Sequence, residues 1–159
     1  MDYKKLVDIL KLEPHPEGGY FKETYRSEQT LALEGGEVRN VSTAIYYLLE
    51  NKKKSSFHRI KSDELWFFHQ GEPLEIVFIK NGELHTVLLG NSLENGEVPQ
   101  LKIEANLWFG AKILGGNGYS LVSCTVAPGF DFLDFELADR DVLLQEYPSL
   151  KEVIEEFTH

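Results

Sequence analysis

The stretch from residue 58 to residue 71, HRIKSDELWFFHQG, gives the strongest indication of the fold. It predicts two short strands joined by the polar turn Lys-Ser-Asp and closed by a glycine. Strand side chains alternate between two faces, so His58 lies on the same face as Ile60. Glu64 likewise shares a face with Trp66. An imidazole and a carboxylate would then meet inside an apolar wall, which costs free energy unless the two groups satisfy each other or bind something.

The composition is that of a folded chain with an excess of acids. The 159 residues are 42% hydrophobic and suit one domain with a sizeable core, which we take as residues 1–159. The net charge of −10 and the presence of only four arginines argue against a nucleic-acid partner, because phosphate binding needs a basic face. A single cysteine, Cys124, excludes an internal disulfide and fits a reducing cytoplasm. No secretion signal or membrane span of roughly 20 apolar residues is present, so a cytoplasmic protein without a membrane partner is expected.

The order of the predicted elements indicates an all-β architecture. Many short strands separated by glycine turns, with helices only at the ends, favour a sandwich or a barrel. We expect a short N-terminal helix in residues 2–12 and a barrel over about residues 18–137. The last barrel strand is predicted at 130–137, where phenylalanines are dense. C-terminal helices are expected in residues 139–158.

The segment 74–89 is the clearest hairpin of the chain. Asn81-Gly82 supplies the left-handed turn that two-residue hairpin loops favour, and this turn places Lys80 opposite Glu83. Both faces of the hairpin carry apolar residues. In so small a protein, that pattern predicts that one face meets a second subunit, and we therefore expect a homodimer.

The spacing of His58, Glu64 and Gly71 resembles the first motif of the cupin superfamily, a His-x-His, Glu and Gly pattern on a small β-barrel. Three blocks resemble more specifically one uncharacterised cupin family, often labelled as predicted sugar epimerases, whose fold is similar to that of the dTDP-sugar epimerases. These blocks are residues 14–26, residues 57–59 with 63–66, and residues 125–136. The resemblance implies a cupin-type double-stranded β-helix, a jelly-roll barrel, with a short N-terminal helix and C-terminal helices.

The same resemblance bears on metal binding. In metal-binding cupins the first motif supplies two histidines and a glutamate, and a second motif supplies another histidine. Here Ile60 stands at the second histidine position, and residues 98–110, which resemble the second motif, contain Trp108 and no histidine. Only His58 and Glu64 remain as metal ligands, whereas protein metal sites normally use three or four. We expect no cofactor, with a divalent metal on this pair as the alternative.

Without a metal, His58 and Glu64 form either a structural pair or a proton-transfer pair. In the second case, Glu64 raises the basicity of His58 and makes it a general base near neutral pH. Epimerases of this fold pair a histidine base with a tyrosine acid across a keto-sugar, so the resemblance implies an epimerase or isomerase. The alternatives are a metal-dependent cupin enzyme, such as a dioxygenase or lyase, and a non-catalytic ligand-binding cupin. The tyrosine stays open, with Tyr47 as our candidate among Tyr20, Tyr25, Tyr46 and Tyr47.

The resemblance also implies a small-molecule partner, such as a sugar or a nucleotide sugar. Cationic side chains clamp phosphates, and aromatic rings stack on sugars and bases. A neutral sugar-like or other carbonyl compound stays open, since the cations also have many acids available for salt bridges. Our candidates for substrate binding are Tyr20, Lys22, Arg26, Arg59, Trp66, Phe68 and Trp108. We interpret His15, between two prolines, as a loop residue with a local hydrogen-bonding role, and the phenylalanines of 130–137 as core.

Overall fold

The structure, a computed structural model, describes residues 1–159. It contains three α-helices, α1 (Tyr3–Leu10), α2 (Arg140–Glu146) and α3 (Lys151–Glu156). None of these helices is long and apolar enough to cross a membrane. Between α1 and α2 lie the strands β1 (Glu13–Pro14), β2 (Tyr20–Arg26), β3 (Thr30–Ala32), β4 (Val38–Asn40), β5 (Thr43–Glu50), β6 (Lys54–Arg59), β7 (Asp63–Gly71), β8 (Leu74–Lys80), β9 (Glu83–Leu89), β10 (Gln100–Ile103), β11 (Phe109–Ile113), β12 (Tyr119–Ala127) and β13 (Glu136–Leu137).

The strands form two large antiparallel sheets and one small hairpin. The six-stranded sheet has the order β1-β2-β5-β12-β7-β10, and the five-stranded sheet has the order β13-β6-β11-β8-β9. A cluster of twelve buried hydrophobic residues, contributed by both sheets, fills the space between them. Strands β3 and β4 pair only with each other. The predicted all-β barrel with helices at both ends is confirmed.

The two strands predicted in residues 58–71 are confirmed, but they belong to different sheets. Strand β6 lies in the five-stranded sheet and β7 in the six-stranded sheet, so the short turn between them crosses from one layer to the other. His58 on β6 and Glu64 on β7 therefore reach the barrel interior from opposite walls. Both side chains are buried.

The hairpin β8–β9 has the predicted register, with Lys80 opposite Glu83. Its outer apolar face, which includes Val77 and Ile79, is covered by the chain's own C-terminal helices through residues such as Leu143. A second subunit is therefore not needed to bury this face, and the reason for expecting a homodimer was wrong. The homodimer itself stays a prediction, testable as a light-scattering mass of twice 18.2 kDa.

The segment 130–137 is not the continuous strand predicted from its phenylalanines. It contains a single turn of 3-10 helix, Phe132–Asp134, followed by the two-residue strand β13. The Asp131 carboxylate accepts a hydrogen bond from the Leu133 amide, which turns the chain out of the extended conformation. The segment thereby bends over one end of the barrel interior.

Candidate functional site

The barrel interior contains a cavity of about 310 Å³. It is enclosed by side chains of both sheets, by the loop between β1 and β2, and by the segment 130–135. Ten of its eighteen lining residues are hydrophobic, which is the usual composition of a small-molecule site with a few polar groups. Its aromatic lining residues, apart from two histidines, are Phe21, Tyr47, Trp66, Phe130, Phe132 and Phe135.

His58 lies in the wall of this cavity. Its Nδ1 atom is 2.8 Å from the carbonyl oxygen of Ser56. A carbonyl oxygen only accepts, so this hydrogen bond requires the proton on Nδ1 and leaves the lone pair of the neutral ring on Nε2. Burial lowers the pKa of His58, while the Ser56 carbonyl and the charge of Glu64 act in the opposite direction. The contribution predicted for Glu64 is present, but burial outweighs it, so the imidazole is neutral at pH 7.

Glu64 enters the cavity from β7, and Trp66 donates its indole Nε1–H to the Glu64 carboxyl oxygen Oε1. Burial raises the pKa of Glu64 to about 7, with a further increase from Glu17 and an opposing effect of His58. A carboxyl group with this pKa is partly protonated at neutral pH. Glu64 is therefore able to donate a proton as well as to accept one.

Glu17, which was not among the predicted site residues, is the third ionisable group in the cavity wall. Its carboxyl oxygen Oε2 is 3.0 Å from Nδ1 of His58. Because the Nδ1–H bond points to Ser56, Oε2 of Glu17 has no hydrogen-bond partner within the chain. Burial raises the pKa of Glu17 to about 7, and His15 opposes this rise. A buried carboxyl oxygen without a partner is costly unless it is protonated or meets a ligand.

The loop that carries Glu17 has its conformation set by glycine. Gly18 has φ of 113° and lies so close to β6 that a Cβ atom would collide with the carbonyl oxygen of Lys54. Only glycine combines this backbone conformation with this approach. The Glu17 carbonyl also accepts a hydrogen bond from the Ser56 amide at 3.2 Å. The Pro-Glu-Gly-Gly segment in the first of the three motif blocks was the available signal for Glu17.

His15 lies in the cavity wall, with its side chain 8% exposed. Its ring packs edge-on against Phe21 and Tyr47, with ring centroids 4.7 and 5.8 Å apart. Its Nδ1 atom accepts the amide hydrogen of Glu17 at 3.1 Å, so the predicted local hydrogen bond is present. The interpretation of His15 as a loop residue with only this role missed its position in the cavity wall, because the return of the loop toward β6 is not visible in the sequence.

Tyr47 lines the cavity, but its hydroxyl group has another partner. It donates a hydrogen bond of 2.6 Å to the carbonyl oxygen of Gly18. Burial raises the pKa of Tyr47 well above its usual value. A phenol whose hydrogen is held by a backbone carbonyl is a poor proton donor to a ligand, so the geometry disfavours the acid role predicted for Tyr47. The other tyrosine candidates, Tyr20, Tyr25 and Tyr46, lie outside the cavity lining.

Of the residues predicted to bind substrate, Arg26 and Trp66 line the cavity. Tyr20 and Lys22 do not, because the alternation of β2 turns Phe21 and Glu23 inward instead. Phe68 packs against the core cluster beside the cavity and is not among the residues that line it.

Trp108 and Arg59 lie together on another side of the molecule. Trp108 belongs to the cluster beneath the C-terminal helices, and the guanidinium carbon of Arg59 lies 4.2 Å from the centre of its indole ring. Arg59 also pairs with Glu136 at 2.8 Å. The prediction that Trp108 and Arg59 contact the ligand in this cavity is therefore not supported. Alternation along a strand predicts which side chains share a face, but it does not predict which other element of the fold covers that face.

The phenylalanines of the segment 130–135 were interpreted as core and instead line the cavity. Phe135 stacks on His58, with ring centroids 5.3 Å apart and an angle of 25° between the planes. Phe132 remains 56% exposed at the rim. This difference follows from the turn at Asp131, which takes the segment across the cavity.

The residues of the cavity do not fit a metal site. No group of three or more His, Cys, Asp or Glu side chains is arranged to hold a metal ion. Ile60 lines the cavity at the position where the cupin motif has its second histidine. His58 Nδ1 is bonded to Ser56, and one oxygen of Glu64 is bonded to Trp66. Of the cupin-motif ligands, only Nε2 of His58 and one oxygen of Glu64 remain, which are fewer than the three or four that hold a metal tightly.

A two-sheet barrel that encloses a largely apolar cavity with a few converging polar groups defines a cupin-type small-molecule-binding protein. The chain belongs to the family described as Cupin superfamily (DUF985), whose model matches residues 4–138. This membership confirms the cupin fold implied by the motif around His58.

Three relatives share this likeness, two of them over the whole chain. The uncharacterised protein YML079W of Saccharomyces cerevisiae is 33% identical over 146 residues, which cover 82% of this chain and 72% of the yeast protein. A hypothetical protein from Leishmania major is 35% identical with a TM-score of 0.95, covering 100% of this chain and 99% of that one. A protein from Shewanella oneidensis is 38% identical with a TM-score of 0.92, covering 100% and 98%. These relatives share the fold, and the reaction has to be argued from the cavity.

Proposed function

We propose that this cupin is an epimerase or isomerase that moves a proton at a carbon atom beside a carbonyl group of a keto or sugar-like compound. The observation that carries the proposal is the neutral His58 imidazole, 3.0 Å from the buried carboxyl group of Glu17, on the wall of an apolar cavity that the buried Glu64 also lines. Three proton-exchanging groups in one buried place suit a reaction that removes and returns a proton.

His58 is the base in this proposal. Its Nδ1–H is held by the Ser56 carbonyl, and Nε2 makes no hydrogen bond within the chain. The lone pair of Nε2 therefore abstracts the proton from the carbon atom. As the ring becomes charged, the carboxylate of Glu17, 3.0 Å from Nδ1, stabilises the imidazolium ion. The Ser56 carbonyl orients the ring and the Glu17 carboxylate stabilises its charged form, which are the roles that the partners of a histidine base have in acyl-transfer enzymes.

Glu64 is the acid in this proposal. Its pKa of about 7 keeps a protonated fraction at neutral pH, and Trp66 fixes one of its two oxygens. The other oxygen donates its proton to the carbonyl oxygen of the substrate as the enol forms. Glu64 thus takes the role that the resemblance to epimerases assigned to a tyrosine, since the hydroxyl of Tyr47 is bonded to Gly18.

The experiment that tests the proposal is hydrogen–deuterium exchange in D₂O, followed by NMR on a panel of enolisable ketones and ketoses. His58→Asn is the diagnostic variant, because an asparagine amide still donates to the Ser56 carbonyl but has no basic nitrogen. We expect exchange to fall by about 10²- to 10⁴-fold. His85→Asn, at an exposed histidine of β9 outside the cavity, is the matched control and should keep the rate of the parent protein.

Two outcomes would contradict the proposal. Equal exchange by the His58→Asn variant and the parent protein would remove His58 as the base. Saturable binding of a panel member without any exchange would favour the non-catalytic ligand-binding cupin.

The metal-dependent cupin enzyme, a dioxygenase or lyase, is tested separately by elemental analysis of protein purified without chelators. We expect less than about one metal ion per ten chains, because no group of three or more His, Cys, Asp or Glu side chains is arranged to hold a metal tightly. Stoichiometric iron, manganese, nickel or zinc would reverse this preference.

A further inference from the structure

More acidic than basic side chains line the cavity. Its lining includes four acidic side chains and one arginine, in addition to the two histidines, and the arginine is Arg26. No lysine lines it. The acids are Glu17, Glu23, Glu64 and Asp131.

Arg26 is not free to bind an anion. A guanidinium group has five N–H donors, and four of those of Arg26 are used within the chain. Two go to the Glu23 carboxylate at 3.2 and 2.6 Å, and the negative charge of this carboxylate also balances the positive charge of Arg26. One goes to Asn40 Oδ1 at 2.7 Å and one to the carbonyl oxygen of Phe130 at 3.0 Å.

The next cations along the rim are also bound to acids. The Arg39 guanidinium makes two hydrogen bonds to Asp134, at 2.8 and 2.9 Å, and Lys61 lies 4.0 Å from the same carboxylate. Neither Arg39 nor Lys61 lines the cavity. With Arg26 balanced by Glu23, the remaining acids leave the cavity neutral or negative, so a phosphate or carboxylate group entering it meets repulsion and no free cation.

The shape of the cavity also restricts its ligand. Its volume of about 310 Å³ lies at the lower end of the range of roughly 300–1,000 Å³ that is usual for small-molecule sites. Six aromatic side chains besides the histidines line this space and offer ring faces and edges, which suit an apolar or aromatic body.

From the charge and the lining together, we infer that the cavity selects an uncharged carbonyl compound with an aromatic or aliphatic body, and rejects its carboxylate- and phosphate-bearing counterparts. This inference rests on the proposed function, which supplies the carbonyl group of the ligand. It narrows the substrate class to compounds smaller and less polar than the nucleotide sugars that the resemblance to dTDP-sugar epimerases implied.

The test compares two probes that differ in one group. Phenylacetone and phenylpyruvate share the benzyl ketone, and phenylpyruvate has a carboxylate in place of the methyl group. Binding is followed by the NMR shift of the Trp66 indole N–H, which lies in the cavity wall. We expect phenylacetone to bind at least about tenfold more tightly, because the carboxylate meets the acidic lining without a free cation. Thymidine diphosphate, the charged half of a nucleotide sugar, should not shift the signal.

Variants with one charge removed test the cause of the selectivity. Glu23→Gln releases Arg26 from its charge partner, and we expect it to tighten phenylpyruvate binding at least about threefold. Asp131→Asn keeps the acceptor for the Leu133 amide and should act in the same direction. Glu83→Gln changes the total charge equally at an exposed position on β9 and should leave both affinities unchanged.

Phenylpyruvate or thymidine diphosphate binding as tightly as phenylacetone would overturn the inference, as would no Trp66 shift with phenylacetone at about 10 mM. Failure of the proposed function gives a different result. Selective binding of phenylacetone without deuterium exchange at its methylene group would contradict the proposed reaction but support the inferred ligand class. Deuterium exchange of bound phenylpyruvate, with none of phenylacetone, would support the proposed reaction but contradict the inferred ligand class.

Discussion

At the scale of single residues, burial sets the chemistry of this cavity. Glu17 and Glu64 both have a pKa of about 7, and in both cases burial is the main cause. Burial has the opposite effect on His58, whose pKa it lowers, because the charged form of the imidazole is the cation. The same environment therefore brings a base into its neutral form and two acids into their protonated forms near one pH.

The pH dependence of stability tests the buried acid Glu64. Below pH 4.5 both the folded and unfolded chains hold its proton, and between pH 4.5 and about 7 only the folded chain does. The free energy of unfolding therefore falls as the pH rises through this window. Glu64→Gln keeps an acceptor for the Trp66 indole and removes this loss, which is about 3.5 kcal/mol at most, at ~1.4 kcal/mol per pKa unit. We expect the variant to be more stable than the parent at pH 8 by urea unfolding.

The control for this measurement is Glu83→Gln, which changes an exposed acid. It should leave the difference in stability between pH 5 and pH 8 unchanged. A Glu64→Gln variant that is less stable than the parent at pH 8 would mean that Glu64 stabilises the fold as a carboxylate.

Tyr47 offers a test of which group is the acid. Tyr47→Phe removes only the hydroxyl that donates to Gly18. If Glu64 is the acid, we expect deuterium exchange to stay within about tenfold of the parent rate, whereas loss of a general acid costs about 10²- to 10⁴-fold. A decrease of the larger size, with an unchanged circular dichroism spectrum, would return the acid role to Tyr47.

At the scale of elements, a buried ion pair joins two segments beside the cavity. Arg39 on β4 makes two hydrogen bonds to Asp134 in the 3-10 turn, and both side chains are nearly buried. The β3–β4 hairpin pairs with no other strand. This ion pair therefore connects the hairpin to the segment that carries the phenylalanines of the cavity wall.

Replacing one charge of this pair should loosen both segments. Asp134→Asn keeps one acceptor oxygen for Arg39 but removes the two-pronged charged contact. We expect faster amide hydrogen exchange in residues 30–41 and 130–135, and unchanged exchange in β7 and β12 at the centre of the six-stranded sheet. Asp141→Asn, on helix α2, is the control. Unchanged exchange in residues 30–41 would mean that the hairpin is held by its own hydrogen bonds.

At the scale of the whole molecule, two hydrophobic clusters stabilise different parts of the fold. The twelve-residue cluster between the sheets forms the core of the barrel, and a seven-residue cluster attaches the C-terminal helices to the outside of β8. Phe157 is central to the second cluster. Its ring lies 5.3 Å from that of Phe57, and its carbonyl accepts the Phe57 amide hydrogen. The C-terminal helices thus bury the face that a partner subunit was expected to cover.

A matched pair of phenylalanine variants measures this attachment. Phe157 is 1% exposed and Phe132 is 56% exposed. We expect Phe157→Ala to lower the free energy of unfolding by about 3–5 kcal/mol, because it leaves a cavity under the helices. Phe132→Ala should change it by only about 0.5 kcal/mol. Urea unfolding of both variants checks the expectation, and similar losses for both would contradict the assignment of Phe157 to the core.

Much of the fold was predictable because it follows from local rules. Glycine turns and alternating side chains identify the strands β6 and β7 around residues 58–71 and the hairpin β8–β9 within residues 74–89. The segment 130–137 was not predictable in this way. Its phenylalanine pattern favours a strand, but the bond from Asp131 to the Leu133 amide and the ion pair of Asp134 give it a turn.

The sequence by itself determined the barrel and the inward positions of His58 and Glu64, because strand alternation and the cupin motif are both local properties. Only the tertiary structure brought Oε2 of Glu17 to 3.0 Å from Nδ1 of His58. It also bonded the Tyr47 hydroxyl to the Gly18 carbonyl and paired Arg26 with Glu23. It also put Trp108 under the C-terminal helices instead of in the cavity. The reason is that these contacts join separate elements. Burial and partner choice depend on how loops and sheets pack together, which alternation along one strand does not specify.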